Sequence, residues 1–129
     1  MNKILVEVSV GELLDKISIL EIKKEKIKST DKLNLINNEY SILKDQFEKN
    51  VKTDTKINEL FQSLKKINEK LWIIEDDKRM CEKKSDFGEK FVKLSRDVHF
   101  LNDERSKIKL EINIYTGSKI KEIKQYTNY

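Results

Sequence analysis

Three groups of residues in this chain have the types and spacing to do chemistry. The first lies in "GELLDKISILEIKK": Glu12, Asp15, Lys16, Glu21 and Lys24, with Glu21 and Lys24 three apart and so neighbours on a helix surface. The second is "LWIIEDDKR", where Trp72 precedes Glu75, Asp76, Asp77 and Arg79, and Glu75 and Arg79 form an i, i+4 pair. The third is Arg96, His99, Asn102 and Arg105. Carboxylates hold magnesium through oxygen, and arginine clamps a carboxylate or phosphate with paired donors.

Gathered on long helices, these groups would bind a magnesium-phosphate ligand, as all-α nucleotide pyrophosphatases do, or a small dianion, as all-helical chorismate mutases do. The same spacings have a plainer source. The chain is 39% charged, so acid and base pairs at helical spacing arise by chance, and a charge run is usually a solvated face. The leading reading makes Glu21, Lys24, Lys78 and Arg105 paired polar layers that set register and oligomeric state. Only three arginines stand among the 27 basic residues, so those positions call for a planar forked donor that lysine cannot imitate.

His99 has no second histidine or thiol at metal-ligand spacing, and Cys81 is alone. His99 therefore reads as a partly buried bundle histidine and Trp72 as core; no metal and no cofactor is expected. "DFG" at 86–88 lacks every companion of a kinase site and reads as a helix-start turn.

Positioning these groups requires long helices. "KILVEV" at 3–8 is a short strand or ordered arm. Ser9-x-x-Glu12 is a capping box that starts helix 1 over 10–28. "STDK" breaks it, because Leu13, Ile17, Leu20 and Ile27 keep one register whereas Leu33, Ile36, Tyr40, Leu43 and Phe47 keep another. Helix 2 spans 32–49, with Thr53 or Asp54 as the next cap. Helix 3, over 55–84, carries Ile57, Leu60, Leu64, Ile67, Leu71, Ile74, Lys78 and Cys81 at coiled-coil spacing. Asp86-x-x-Glu89 starts helix 4 over 87–116, whose seam is Phe91, Leu94, Val98, Leu101, Arg105, Ile108, Ile112 and Tyr115, stopped by Gly117. A tail over 118–129 could lie beside the first arm.

The expected fold is therefore all-α: one domain over 1–129, an elongated antiparallel helical hairpin or bundle of three to four helices with coiled-coil-like seams. Helices 3 and 4 must form the hairpin, with helix 2 against it. Counting outward from the turn sets Trp72 level with His99 and Asp76 level with Arg96, so the three groups would meet. The same count runs helix 1 past the hairpin tip. Helix 1 also has Ile19 and Ile22 opposite its main stripe, and a homodimer would cover both faces.

Charge and composition narrow the partners. The net charge of +4 is spread among interspersed acids, which disfavours nucleic acid. Apolar runs of only a few residues exclude a membrane span, and "MNKILVEVSV" is too short and acidic for a signal peptide. With one cysteine the chain fits a reducing cytoplasm.

Taken together, "VSVGELLDKISILEIKKEKI", "LWIIEDDKR" and "DFGEKFVKLSRDVHFLNDERSKIKLEINIYTGS" resemble an uncharacterised family of small bacterial helical proteins, a domain of unknown function. The resemblance implies a helical protein, assigns no functional residue, and hints at a place beside cell-surface sugar metabolism. The reading that results is a non-catalytic cytoplasmic interaction or scaffold protein acting as a homodimer, with a protein partner not identified by the residues. The alternative is the ligand-binding enzyme, with Glu12, Asp15, Glu21, Lys24, Trp72, Glu75, Asp76, Arg79, Arg96, His99 and Arg105 as its candidate site.

Overall fold

The computed structural model describes residues 1–119, 123 and 126–128. It is an all-α bundle of four helices, α1 (Val10–Lys26), α2 (Thr30–Asn50), α3 (Thr55–Lys83) and α4 (Glu89–Thr116), with no strand among the described residues. Residues 1–9 form neither helix nor strand, so the "KILVEV" segment is an arm and not a strand. The expectation that the tail over 118–129 lies beside this arm rests largely on residues 120–122, 124–125 and 129, outside the described residues.

Local chemistry sets the helix ends. Ser9 Oγ accepts from the Glu12 N–H at 3.1 Å, which starts α1. The return half of the capping box is replaced, because the Glu12 carboxylate receives Lys109 Nζ at 2.6 Å instead. Asp54 caps α3 by accepting from the Ile57 N–H at 2.9 Å. Asp86 does not cap α4: it accepts from the Gly88 N–H at 3.2 Å, and Gly88 is the N-cap, which moves the start toward Glu89. Gly117 ends α4 at φ 68°, left-handed backbone that a Cβ would strain, and the Ser118 N–H donates to the Asn113 carbonyl at 2.9 Å.

The packing order differs from hairpin counting. α3 and α4 do form the antiparallel hairpin, tied at its base by Lys56 to Glu111 at 3.5 Å and by Tyr115 to Asp54. α1, however, lies against α2, α3 and α4 alike, and the backbone of α2 runs close to α1 but not to the hairpin, whose core it joins through the Phe47 side chain. The reason is that α1 has apolar residues on several sides, which suits a central helix as well as a two-faced exposed one. Ile22 is fully buried and Ile19 half-buried within the same chain, so helix 1 needs no second copy to cover its two faces. The main core joins Leu14 and Ile17 of α1, Phe47 of α2, Ile57, Leu60 and Leu64 of α3, and Ile112 of α4.

At 17 and 29 residues, α1 and α3 are about 25 and 43 Å long. The outer part of the hairpin therefore extends beyond the cover of α1. After Leu71, Cys81 is the one fully buried residue of α3, and burial in α4 is confined to Lys109, Ile112 and Asn113. Ile73, Met80, Phe87 and Val92 are exposed there. At the turn, Phe87 and Phe91 meet edge to face at 5.5 Å, and Lys78 Nζ lies 5.8 Å from the Phe91 ring centre.

Candidate functional site

Gly11 brings α1 close enough to α4 for a polar layer to form. A Cβ there would stand 2.5 Å from the Lys109 carbonyl oxygen and 2.9 Å from Asn113 Oδ1, so only glycine permits this approach. Its N–H donates to Asn113 Oδ1 at 2.7 Å. One turn later, Asp15 enters the space between α3 and α4 and is 1% exposed. Arg105 Nε donates to Asp15 Oδ1 at 2.9 Å and Nη2 to Oδ2 at 2.5 Å, the fork geometry that lysine lacks. Asn68 Nδ2 donates to the same Oδ1 at 2.9 Å and to Ser18 Oγ at 2.8 Å, while Ser18 Oγ donates to the Asp15 carbonyl at 2.8 Å. Lys109 Nζ stands 4.0 Å from Asp15 Oδ2 and bridges to Glu12.

Burial alone would push the Asp15 carboxyl upward. The hydrogen bonds from Arg105 and Asn68 and the charges of Arg105 and Lys109 outweigh it and hold the group below the usual aspartate range. Asp15 is thus an ionised carboxylate with both oxygens engaged, poorly placed to act as a base. Among the described residues, no buried side-chain nitrogen or oxygen lacks a hydrogen-bond partner.

Glu21 and Lys24 do not pair with each other. Glu21 accepts from Lys65 Nζ at 3.1 Å and from the Tyr40 hydroxyl at 3.2 Å, and Lys65 also reaches Glu25 at 2.9 Å. Lys24 is exposed, with its Nζ 4.1 Å from the Tyr40 ring centre. Desolvation and then the Glu21 charge push the Tyr40 hydroxyl up. This second layer lies at the rim, not in the core.

A cleft of about 400 Å³ opens between α1 and the middle of α3. Ile19, Ile22, Leu71 and Trp72 give it an apolar floor, and Asn68, Glu75, Asp76, Arg79 and Arg105 give it polar walls. Five sequence candidates thus converge: Trp72, Glu75, Asp76, Arg79 and Arg105. Arg96 and His99 do not join them. Both are exposed on α4, with Arg96 Cζ 6.0 Å from the Phe100 ring centre and the His99 ring 4.3 Å from it, so His99 is not a partly buried bundle histidine. Glu12, Asp15, Glu21 and Lys24 also lie outside the cleft lining. Among the described residues, no group of three or more His, Cys, Asp and Glu side chains is gathered to hold a metal ion.

Sequence reasoning missed Lys65, Asn68 and Lys109. Asn68 and Lys109 each follow a seam residue, Ile67 and Ile108, but polar residues flank every seam position in so charged a chain. The usable signal was Gly11 followed at i+4 by Asp15, a close-approach residue one turn before an acid.

Fold and site together define a four-helix bundle whose central helix is fastened by a buried, fully paired ionic layer and flanked by a mixed-charge cleft. The chain matches the family of unknown function DUF6165 over residues 4–129 and belongs to it. No curated protein and no solved structure matches it. Among the described residues, no helix is long and apolar enough to cross a membrane.

Proposed function

We propose that this chain is a non-catalytic, cytoplasmic helical interaction protein that works as a homodimer. One observation carries the non-catalytic part of this reading: the most buried acid, Asp15, has both oxygens bonded, to Arg105 and Asn68. Charges kept for a substrate stand incompletely paired in the empty protein, whereas charges that set register are matched to one another. The apolar surface that is left uncovered then belongs to partners. It includes Ile73, Met80, Phe87 and Val92 on the outer hairpin and Ile4, Leu5 and Val6 on the arm, beside others such as Leu35, Ile42 and Ile114 on α2 and α4. The lone cysteine, Cys81, is buried and free, which supports a reducing compartment.

The test is size-exclusion chromatography with light scattering at micromolar concentration, expected to give about twice the 15.3 kDa chain mass. A monomer throughout that range overturns the homodimer.

The cleft supports a second reading, in which Arg79 and Arg105 hold a small organic anion whose apolar part lies on Trp72 and Ile22. Trp72 is the single tryptophan, so its fluorescence reports on the cleft directly. Titration with nucleotides or aromatic dicarboxylates should leave that emission and the melting temperature unchanged. A saturable quench with a matching thermal shift would favour the second reading.

A further inference from the structure

The arm before α1 has a pattern that the bundle does not use. Ile4, Leu5 and Val6 are 89%, 88% and 74% exposed, although their β-branched and aliphatic side chains suit a pleated strand. In an extended chain the even positions, Ile4, Val6 and Val8, share one face and Lys3, Leu5 and Glu7 the other. The arm leaves α1 beside a second cleft, of about 650 Å³, at the base of the bundle, where Val10, Val51, Ile57 and Tyr115 are among the lining residues.

We infer that the occupant of this arm is a second copy of the same arm, paired antiparallel about Leu5. The inference rests on the homodimer reading above and names its contact. Charge decides the register. Centred on Leu5, antiparallel pairing sets Lys3 opposite the partner's Glu7 and Glu7 opposite the partner's Lys3, and sets Ile4 opposite the partner's Val6. A parallel in-register pair would instead oppose like charges at both positions. A one-residue slip of the antiparallel pair would put Ile4 on the same face as the partner's Glu7. Two strands alone are marginal in water, so the Ile4, Val6 and Val8 face needs a cover, and the two base clefts supply one.

The tests use the full chain and exposed arm positions, which leave the helical core intact. Lys3→Glu should raise the dimer dissociation constant by about tenfold, Glu7→Lys likewise, and the double swap should restore it. Because Leu5 would face itself across the two-fold, Leu5→Cys should form a disulfide-linked dimer under mild oxidation, with buried Cys81 staying reduced. Ile4→Cys should cross-link far less. Removal of residues 1–8 should give a monomer with unchanged helical circular dichroism. If the intact chain is itself monomeric, the homodimer reading fails and this one with it. If a dimer survives removal of residues 1–8, the homodimer stands and the arm is not its contact. If the double swap does not restore a dimer lost in the single variants, or if Ile4→Cys links as readily as Leu5→Cys, the proposed register is wrong.

Discussion

Removing the Asp15 carboxylate leaves Arg105 and Lys109 in a buried layer without their common counter-charge. Asp15→Ala should therefore cost about 3 to 5 kcal/mol in denaturant unfolding. Replacing the pair together, Asp15→Leu with Arg105→Met, should recover most of that loss, since a matched apolar pair carries no desolvation cost. An Asp15→Ala variant that melts higher than wild type would argue for a binding site instead. The same carboxylate gives a pH signature. Its folded value lies below the ordinary 3.8, so its contribution is complete above that pH and is lost as pH falls through the lower folded value. The urea midpoint of the wild type should drop as pH falls below the ordinary aspartate value of 3.8, and Asp15→Asn should lack that part of the drop. Glu21 stands in a different position. Its side chain is 22% exposed at the rim beside Lys65, so Glu21→Ala should cost only about 1 kcal/mol or less. The sequence placed charge inside the stripe of helix 1 but could not rank Asp15 above Glu21, because depth depends on which helices surround α1.

At the scale of elements, the α1–α4 contact is set by backbone, not by side chains. Gly11→Ala would push α1 away from the Lys109 carbonyl and should cost about 1 to 3 kcal/mol despite alanine's better helix propensity. Thermal or urea unfolding measures it, and a stabilised variant would mean that the contact gives way freely. Hydrogen exchange should separate two regions. Amides of 14–22, 57–71 and 108–113 should be most protected, and those of 76–97 should exchange sooner because two helices alone bury little there. The helices themselves were legible in sequence: Ser9, Asp54 and Gly117 mark ends, and Ile57 through Leu71 repeat at seam spacing. Their order around the core was not. Loop length shows that α3 and α4 are neighbours, but it says nothing about which helix fills the middle, and that is decided by the multi-sided burial of Leu14, Ile17 and Ile22. For the same reason the cleft was only half legible. Trp72, Glu75 and Asp76 share a helix face with Arg79, whereas the level of Arg96 and His99 on the hairpin does not tell which side of α4 they occupy, and both stand exposed outside the cleft.

For the whole molecule, the proposed homodimer would couple stability to concentration. If the folded pair forms from unfolded chains, the melting temperature should rise with each tenfold increase in protein, and the rise should vanish without residues 1–8. A second whole-molecule property follows from where α1 sits. Its contacts span nearly the full chain: Gly11 bonds Asn113, 102 positions away, and Asp15 bonds Arg105, 90 positions away. During synthesis α1 emerges first, yet its counter-charges and its closest backbone neighbour emerge near the end. A chain paused before Arg105 carries an amphipathic helix with an uncompensated aspartate and an open apolar stripe, a species apt to be held by chaperones or to aggregate. Ribosome-bound chains of increasing length should stay protease-sensitive until residue 113 has cleared the exit tunnel, then become resistant in a single step.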